Sequence, residues 1–175
     1  MKYKFTGQAK KIMQGNKALH EQFKTTLHSI PIIDFTPRRA TKGSVGFDLF
    51  ACIPEELVLL AGEQANIGTG VHIWIGSEIG DTETDYSRIA GLLLPRSSTK
   101  GIRLRNTIGL IDEDFQGEYI ALVENTSEEP ITLKPGQKFM QVIFVPAYIP
   151  DIYLVEDFEE ITSRGENGFG HTGDM

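Results

Sequence analysis

The sequence predicts an all-β domain, a sandwich or barrel of short strands, with a short helical segment before it and a glycine-rich tail after it. Two observations carry this. Short apolar runs recur along the chain, and its 18 Gly and 8 Pro are spread among them. Many short strands broken by Gly and Pro turns belong to sandwiches and barrels. Within the runs, side chains also alternate, as in Phe47, Leu49 and Ala51 against Gly46, Asp48 and Phe50. That is the period of two expected of a strand. At 175 residues and 40% hydrophobic, the chain fits one domain with one core.

Residues 1–28 form an N-terminal appendage. Leu19, Phe23 and Leu27 are spaced by four, with Lys17, Glu21, Gln22 and Lys24 between them, the pattern of a short amphipathic helix. The β domain, 29–162, begins with a predicted strand at Ile30 to Phe35 and a basic loop from Thr36 to Ser44. In the next strand Asp48 is a carboxylate in an apolar setting. It requires a cation, a donor or a metal there, and a salt bridge to a nearby Arg or Lys would serve as well as a metal. Leu57 to Leu60, Gln64 to Ile67 and Gly70 to Ile75 read as three strands parted by glycine-containing turns. Residues 77–87 are polar and acidic, a surface loop near the upper end of ordinary lengths.

A buried strand from Ile89 ends at Pro95, and Arg96, Ser97 and Ser98 follow at once. Arginine beside hydroxyls and free N–H groups at a strand end suits phosphate, although many turns share this composition. Ile108 to Ile111 and Tyr119 to Val123 flank an acidic tip of Asp112, Glu113 and Asp114, followed by Phe115 and Gly117. Two such runs joined by a short loop read as a β-hairpin. The three carboxylates are either a solvated tip or part of a site. Ile131 to Leu133 and Gln137 to Val145 are further strands. Gln141 lies among apolar neighbours in the second; it needs partners if buried, or else faces solvent. Ile149 to Val155 is the last predicted strand. In the tail, 163–175, Gly168 to Gly173 matches G-x-G-x-x-G, but no helix can follow and no strand–turn–helix precedes it, so the dinucleotide reading fails. Flexibility when empty is the default for such a tail. The sharper reading is closure over a phosphorylated ligand, with Arg164 on phosphate and Phe169 stacking on a ring.

Several chemistries are excluded. A net charge of −7 argues against general nucleic-acid binding. No run approaches the roughly 20 apolar residues of a membrane span. The single cysteine, Cys52, forms no intrachain disulfide, and a cysteine-poor chain without an export signal fits the cytoplasm. The four His are scattered without zinc spacing, and neither a P-loop nor a nucleophile elbow is present. Acids, an Arg-Ser-Ser turn and a glycine-rich tail suit magnesium-assisted attack of water on a polyphosphate.

Five blocks, in order, resemble one family, the trimeric deoxyuridine triphosphatases (dUTPases). They are Gly43-Ser-Val-Gly-Phe-Asp-Leu-Phe-Ala51, Pro95-Arg-Ser-Ser98, Asn106-Thr-Ile-Gly-Leu-Ile-Asp-Glu-Asp-Phe-Gln-Gly117, Gly136-Gln-Lys-Phe-Met-Gln-Val-Ile-Phe144 and Arg164-Gly-Glu-Asn-Gly-Phe-Gly-His-Thr-Gly173. The resemblance implies a jelly-roll-like β fold, a homotrimer with active sites at subunit interfaces, and hydrolysis of dUTP to dUMP and pyrophosphate with Mg²⁺. Such activity limits uracil in DNA and supplies dUMP for dTMP synthesis. It makes Asp112 the base that activates water and contacts the sugar 3′-hydroxyl, leaving Glu113 and Asp114 as solvated turn residues. Asp48 helps hold hydrated Mg²⁺. Arg96, Ser97 and Ser98 hold phosphates, and Gln141 contacts the α-phosphate or the water. Asn106 and the backbone of 106–111, Gly109 and Ile111 included, read the uracil edge. Arg164, Gly170, His171 and Thr172 bind the outer phosphates, and Phe169 stacks on uracil from another subunit.

Three departures matter. Phe115 stands where the family usually has Tyr; it keeps the ring, so rejection of the 2′-hydroxyl is expected to survive. His171 replaces the usual Ser, which changes one phosphate contact. Segments 1–28 and 77–87 exceed the minimal core and resemble those of some phage and viral members. That resemblance leaves room for a protein partner through 77–87 or 1–28 and, for a phage or viral chain, implies the host cytoplasm. Two alternatives stand beside this reading. A deoxycytidine triphosphate deaminase of related fold would need a catalytic acid after the tip, at Glu118 or Glu124. A non-enzymatic module would keep only the fold.

Overall fold

The computed structural model describes residues 1–22, 32–76, 87–160 and 162–165. Among these, ten strands and one helix follow in the order β1 (Lys2–Phe5), α1 (Gly7–Gln22), β2 (Phe47–Phe50), β3 (Leu57–Leu59), β4 (Gln64–Trp74), β5 (Ser87–Pro95), β6 (Ile102–Leu104), β7 (Gly109–Ile111), β8 (Glu118–Asn125), β9 (Ile131–Leu133) and β10 (Lys138–Tyr148). One sheet runs β1-β4-β8-β6 and the other β2-β10-β5-β7; β3 and β9 form a small third pair. Every pairing is antiparallel. The all-β, jelly-roll-like class is therefore as the sequence predicts. Alternation explains the layering. Tyr119, Ala121 and Val123 of β8 point inward, as do Leu49, Met140 and Val142 from the other sheet, and all belong to one core.

The first 22 residues pack closely on the β domain. β1 adds a strand to the sheet edge, pairing Lys2 with Trp74 through Phe5 with Val71. Thr6 then caps α1: its Oγ1 accepts the Ala9 N–H at 3.1 Å, the standard service of an N-cap threonine. The packed face of the helix is Ala9, Ile12 and Met13, not the predicted stripe, for Leu19 is 48% exposed. Phe23 and Leu27 lie outside the described residues, as do 77–86 of the expected partner loop.

Four strand expectations are corrected. Residues 32–35 are irregular, because the Ile33 N–H donates to Asn16 Oδ1 of α1 at 2.8 Å instead of to a strand. The two runs at 64–67 and 70–75 are one strand, β4, with an irregularity between Gly68 and His72. There Gly70 takes φ +77°, and its N–H, lost to the ladder, is accepted by Glu118 Oε1 at 2.8 Å. The predicted hairpin is not one. β7 pairs with β5, whereas β8 pairs with β4 and β6, so the acidic tip is a crossover between sheets. Finally, Ile149 to Val155 forms no strand. Pro150 offers no N–H to a ladder, and Ile152, Leu154 and Phe158 are left at 91%, 102% and 83% exposure.

Candidate active site

The site residues fall into two groups, at different places on the sheet β2-β10-β5-β7. The first group sits where β5 ends. Residues Arg96 to Thr99 turn sharply, with the Thr99 N–H donating to Arg96 O at 3.0 Å, and Thr99 Oγ1 donates to Phe139 O at 2.9 Å, which fastens the turn to β10. Arg96 Nε lies 2.7 Å from Asp48 Oδ1, and its Nη1 donates to Ser98 Oγ at 3.2 Å. Lys138 Nζ is 2.8 Å from Asp48 Oδ2. Gln141 stands opposite Asp48 in the β2–β10 register, and its Nε2 donates to Pro95 O at 3.1 Å. Its Oε1 lies against Gly46, where any Cβ would collide with it. Both of the sequence's open questions are answered here: Asp48 is salt-bridged, and Gln141 is partly buried and partnered.

One buried carboxylate with two cations, two exposed serine hydroxyls and a partly buried amide makes a surface with surplus positive charge. Such a surface accepts an anion. The group is not a self-sufficient metal site, since among the described residues no three His, Cys, Asp or Glu cluster to hold an ion. Asp48 Oδ2 is nonetheless buried and, despite its ion pair with Lys138, receives no well-aligned hydrogen bond. An acceptor in that state fits a water on a hydrated cation better than the cation itself. Lys138 was missed in the sequence. The available signal was a cation opening the strand that carries Gln141.

The second group follows β7. Thr107 takes φ 64°, and the Ile108 N–H donates to Asn106 O at 2.6 Å, a tight turn that leaves Asn106 exposed. Gly109 packs so closely on β5 that a Cβ would come 2.9 Å from Leu93 Cβ. Ile111 points into the core, and Asp112 is exposed at a cleft of about 500 Å³ lined also by Arg88, Ala90, Leu110 and Glu113. The Phe115 N–H donates to Asp112 O at 3.2 Å, closing the turn. The Phe115 ring lies over Gly117 and stacks on Tyr119 at 6.2 Å between centroids. Tyr119 is anchored by donating its hydroxyl to Ile73 O at 3.0 Å, and burial pushes its pKa up to about 12. Glu113 is not the solvated turn residue expected: its carboxylate pairs with Arg88 Nε at 3.1 Å. Asp114 is exposed as expected.

A single chain does not bring the two groups together. Ile111 pairs with Gly91, and Arg96 lies five positions further along the chain, just beyond β5. Asp112 continues that register one residue beyond Ile111, level with Ala90 and six positions from Arg96, so at about 3.3 Å per residue the two are on the order of 20 Å apart along the strand direction. Arg164 is exposed in a turn closed by the Gly165 N–H to Thr162 O bond at 3.0 Å. Phe169, Gly170, His171 and Thr172 lie outside the described residues. Both candidates for the acid a deaminase would need are otherwise engaged: Glu118 on Gly70, and Glu124 with Arg103 at 3.1 Å.

Residues 35–173 match the family model described as dUTPase. The deoxyuridine 5′-triphosphate nucleotidohydrolase of Psychrobacter sp. (strain PRwf-1) is 44% identical over 140 residues, 78% of this chain and 85% of that one. Its namesake from Sodalis glossinidius is 41% identical over 78% of this chain and 86% of its own. Among solved structures, Staphylococcus bacteriophage 80alpha dUTPase with dUpNHpp superposes with a TM-score of 0.61 at 26% identity, over 79% of this chain and 92% of that one.

Proposed function

The chain belongs to the dUTPase family, and we propose that it hydrolyses dUTP to dUMP and pyrophosphate in sites shared between the subunits of a homotrimer. The separation of the two groups carries this reading. The atoms that activate water and those that hold the α-phosphate must lie within a few ångströms of one another. In one chain they are on the order of 20 Å apart by strand spacing. A neighbouring copy completes the site, and the exposed apolar side chains of Ile152, Leu154 and Phe158 supply surface for such an assembly.

The chemistry follows from the residues. Asp112 accepts a proton from water as the water oxygen bonds to the α-phosphorus. The bond from that phosphorus to the bridging oxygen of the β-phosphate breaks, and the electron pair leaves with pyrophosphate. Arg96, Ser97, Ser98 and Lys138 offset the charge that develops there, and Gln141 steadies the α-phosphate or the water. Asp48 would hold a water of the Mg²⁺ that arrives with the polyphosphate, which supplies further charge neutralisation. Asn106 and the backbone through Gly109 and Ile111 read uracil, while the Phe115 ring lies under the deoxyribose. Arg164, Phe169, Gly170, His171 and Thr172 close over the substrate from another subunit and exclude water. The activity would limit uracil in DNA and supply dUMP for dTMP synthesis in the cytoplasm.

Pyrophosphate release from each dNTP and from UTP, with and without Mg²⁺, tests the proposal. Release from dUTP alone, dependent on Mg²⁺, is expected. Ammonia release from dCTP without pyrophosphate release from dUTP would instead establish the deaminase.

A further inference from the structure

We propose that Arg88 and Glu113 form a positioning pair that sets Asp112 for attack, an inference that rests on the assignment of Asp112 as the base. Asp112 itself is exposed, and the turn that carries it is closed by one backbone bond, from the Phe115 N–H to Asp112 O at 3.2 Å. The neighbouring residue is held from two sides. Glu113 O accepts the Gly76 N–H at 3.1 Å, from the segment just after β4 of the opposite sheet. The Glu113 carboxylate meets Arg88 Nε at 3.1 Å, and Arg88 stands in β5, directly across from Ala147 of β10. Arg88 lies three positions beyond the last β5–β7 pair, Gly91 with Ile111, on the side where the chain leaves β7 into the tip. The tip is thereby fastened to both sheets at the position next to the base.

Charge gives the pair a second role. Asp112, Glu113 and Asp114 place three carboxylates in a row at the cleft. Arg88 lines the same cleft and offsets one of them. Without it, Glu113 would face its acidic neighbours unpaired, and the turn would open to separate the charges. The pair is a third to a quarter exposed, so water and salt weaken it and its worth to global stability is small. Its worth to geometry is larger, because a displacement of about 1 Å at a reacting group lowers turnover by up to about a hundredfold.

The test uses the full-length protein with Glu113→Gln, Arg88→Met, their combination, the reversed pair Arg88→Glu with Glu113→Arg, and Asp112→Asn with and without Glu113→Gln. Each single variant should lower kcat about ten- to a hundredfold while KM for dUTP stays within about twofold. The double variant should be no slower than either single, and the reversed pair should recover part of the rate. Adding Glu113→Gln to Asp112→Asn should slow the residual rate no further, because there is no base left to misplace. Single variants with wild-type kcat beside an inactive Asp112→Asn would overturn the positioning pair and leave the assigned base standing. So would kcat losses matched by equal losses of folded protein in thermal melts, since the pair would then be structural only. Full turnover by Asp112→Asn would overturn the assignment of the base itself.

Discussion

Gly117→Ala probes the coupling between a glycine and the ring proposed to select the sugar. Gly117 has no positive φ among the glycines that do, so alanine costs it no backbone strain. The obstacle is Phe115: a Cβ at position 117 would collide with its Cζ and come within 2.8 Å of Cε2. The ring is 42% exposed and can swing outward. Tyr119 cannot follow, being buried and tied to Ile73 O. The stacked pair is therefore lost, a cost of about 0.5–1.5 kcal/mol. In a domain of this size that lowers Tm by about 1–6 °C. Selectivity should suffer more than stability. A steric contact with one small group is worth about 1–3 kcal/mol, so preference for dUTP over UTP, read as the ratio of kcat/KM values, should fall about ten- to a hundredfold. Thermal melts and parallel kinetics on both nucleotides measure the two effects. A lowered Tm with unchanged dUTP preference would refute Phe115 as the sugar gate.

Two further outcomes follow from the packing of α1. Gly70→Ala combines a left-handed φ of +77° with a Cβ only 3.0 Å from Ala9 Cβ and Cys52 Sγ. The backbone term of about 1–2 kcal/mol and overpacking of about 1–3 kcal/mol should shift the urea midpoint well below wild type; an unchanged midpoint would contradict both the left-handed backbone and the close packing of Ala9 and Cys52 at Gly70. Burial, with the charge of Glu118, pushes the Cys52 thiol up to about 11. The native thiol stays protonated where the unfolded one ionises, so stability should fall as pH rises from about 9, and iodoacetamide should label Cys52 at pH 8 only after unfolding. Rapid labelling of the folded protein would contradict this environment.

The strand pattern was legible because alternation and turn residues report a half-buried sheet directly. What sequence could not show was partnership. Ile108 to Ile111 and Tyr119 to Val123 have the makings of a hairpin, but their buried faces point into the core from different sheets, and that decision is made by β5 and β4, not by the loop. Ile149 to Val155 reads as a strand by composition and pairs with no strand among the described residues. The site residues were legible as types at fixed spacing, most clearly Asp48, Arg96, Asp112 and Gln141. Their grouping was not. That Lys138 shares Asp48 with Arg96, and that Glu113 is held by Arg88, depends on cross-strand register and on a crossover that the local sequence does not encode.

Subunit complementation tests the shared site most directly. Asp112→Asn and Arg96→Met chains, each inactive alone, are unfolded together, refolded as a 1:1 mixture and assayed for pyrophosphate release from dUTP. If each site takes Asp112 from one subunit and Arg96 from a neighbour, random assembly leaves about a quarter of the sites intact, and activity should return to about that fraction of wild type. Mixed oligomers that remain as inactive as their parents would contradict the shared site and place both groups in one chain.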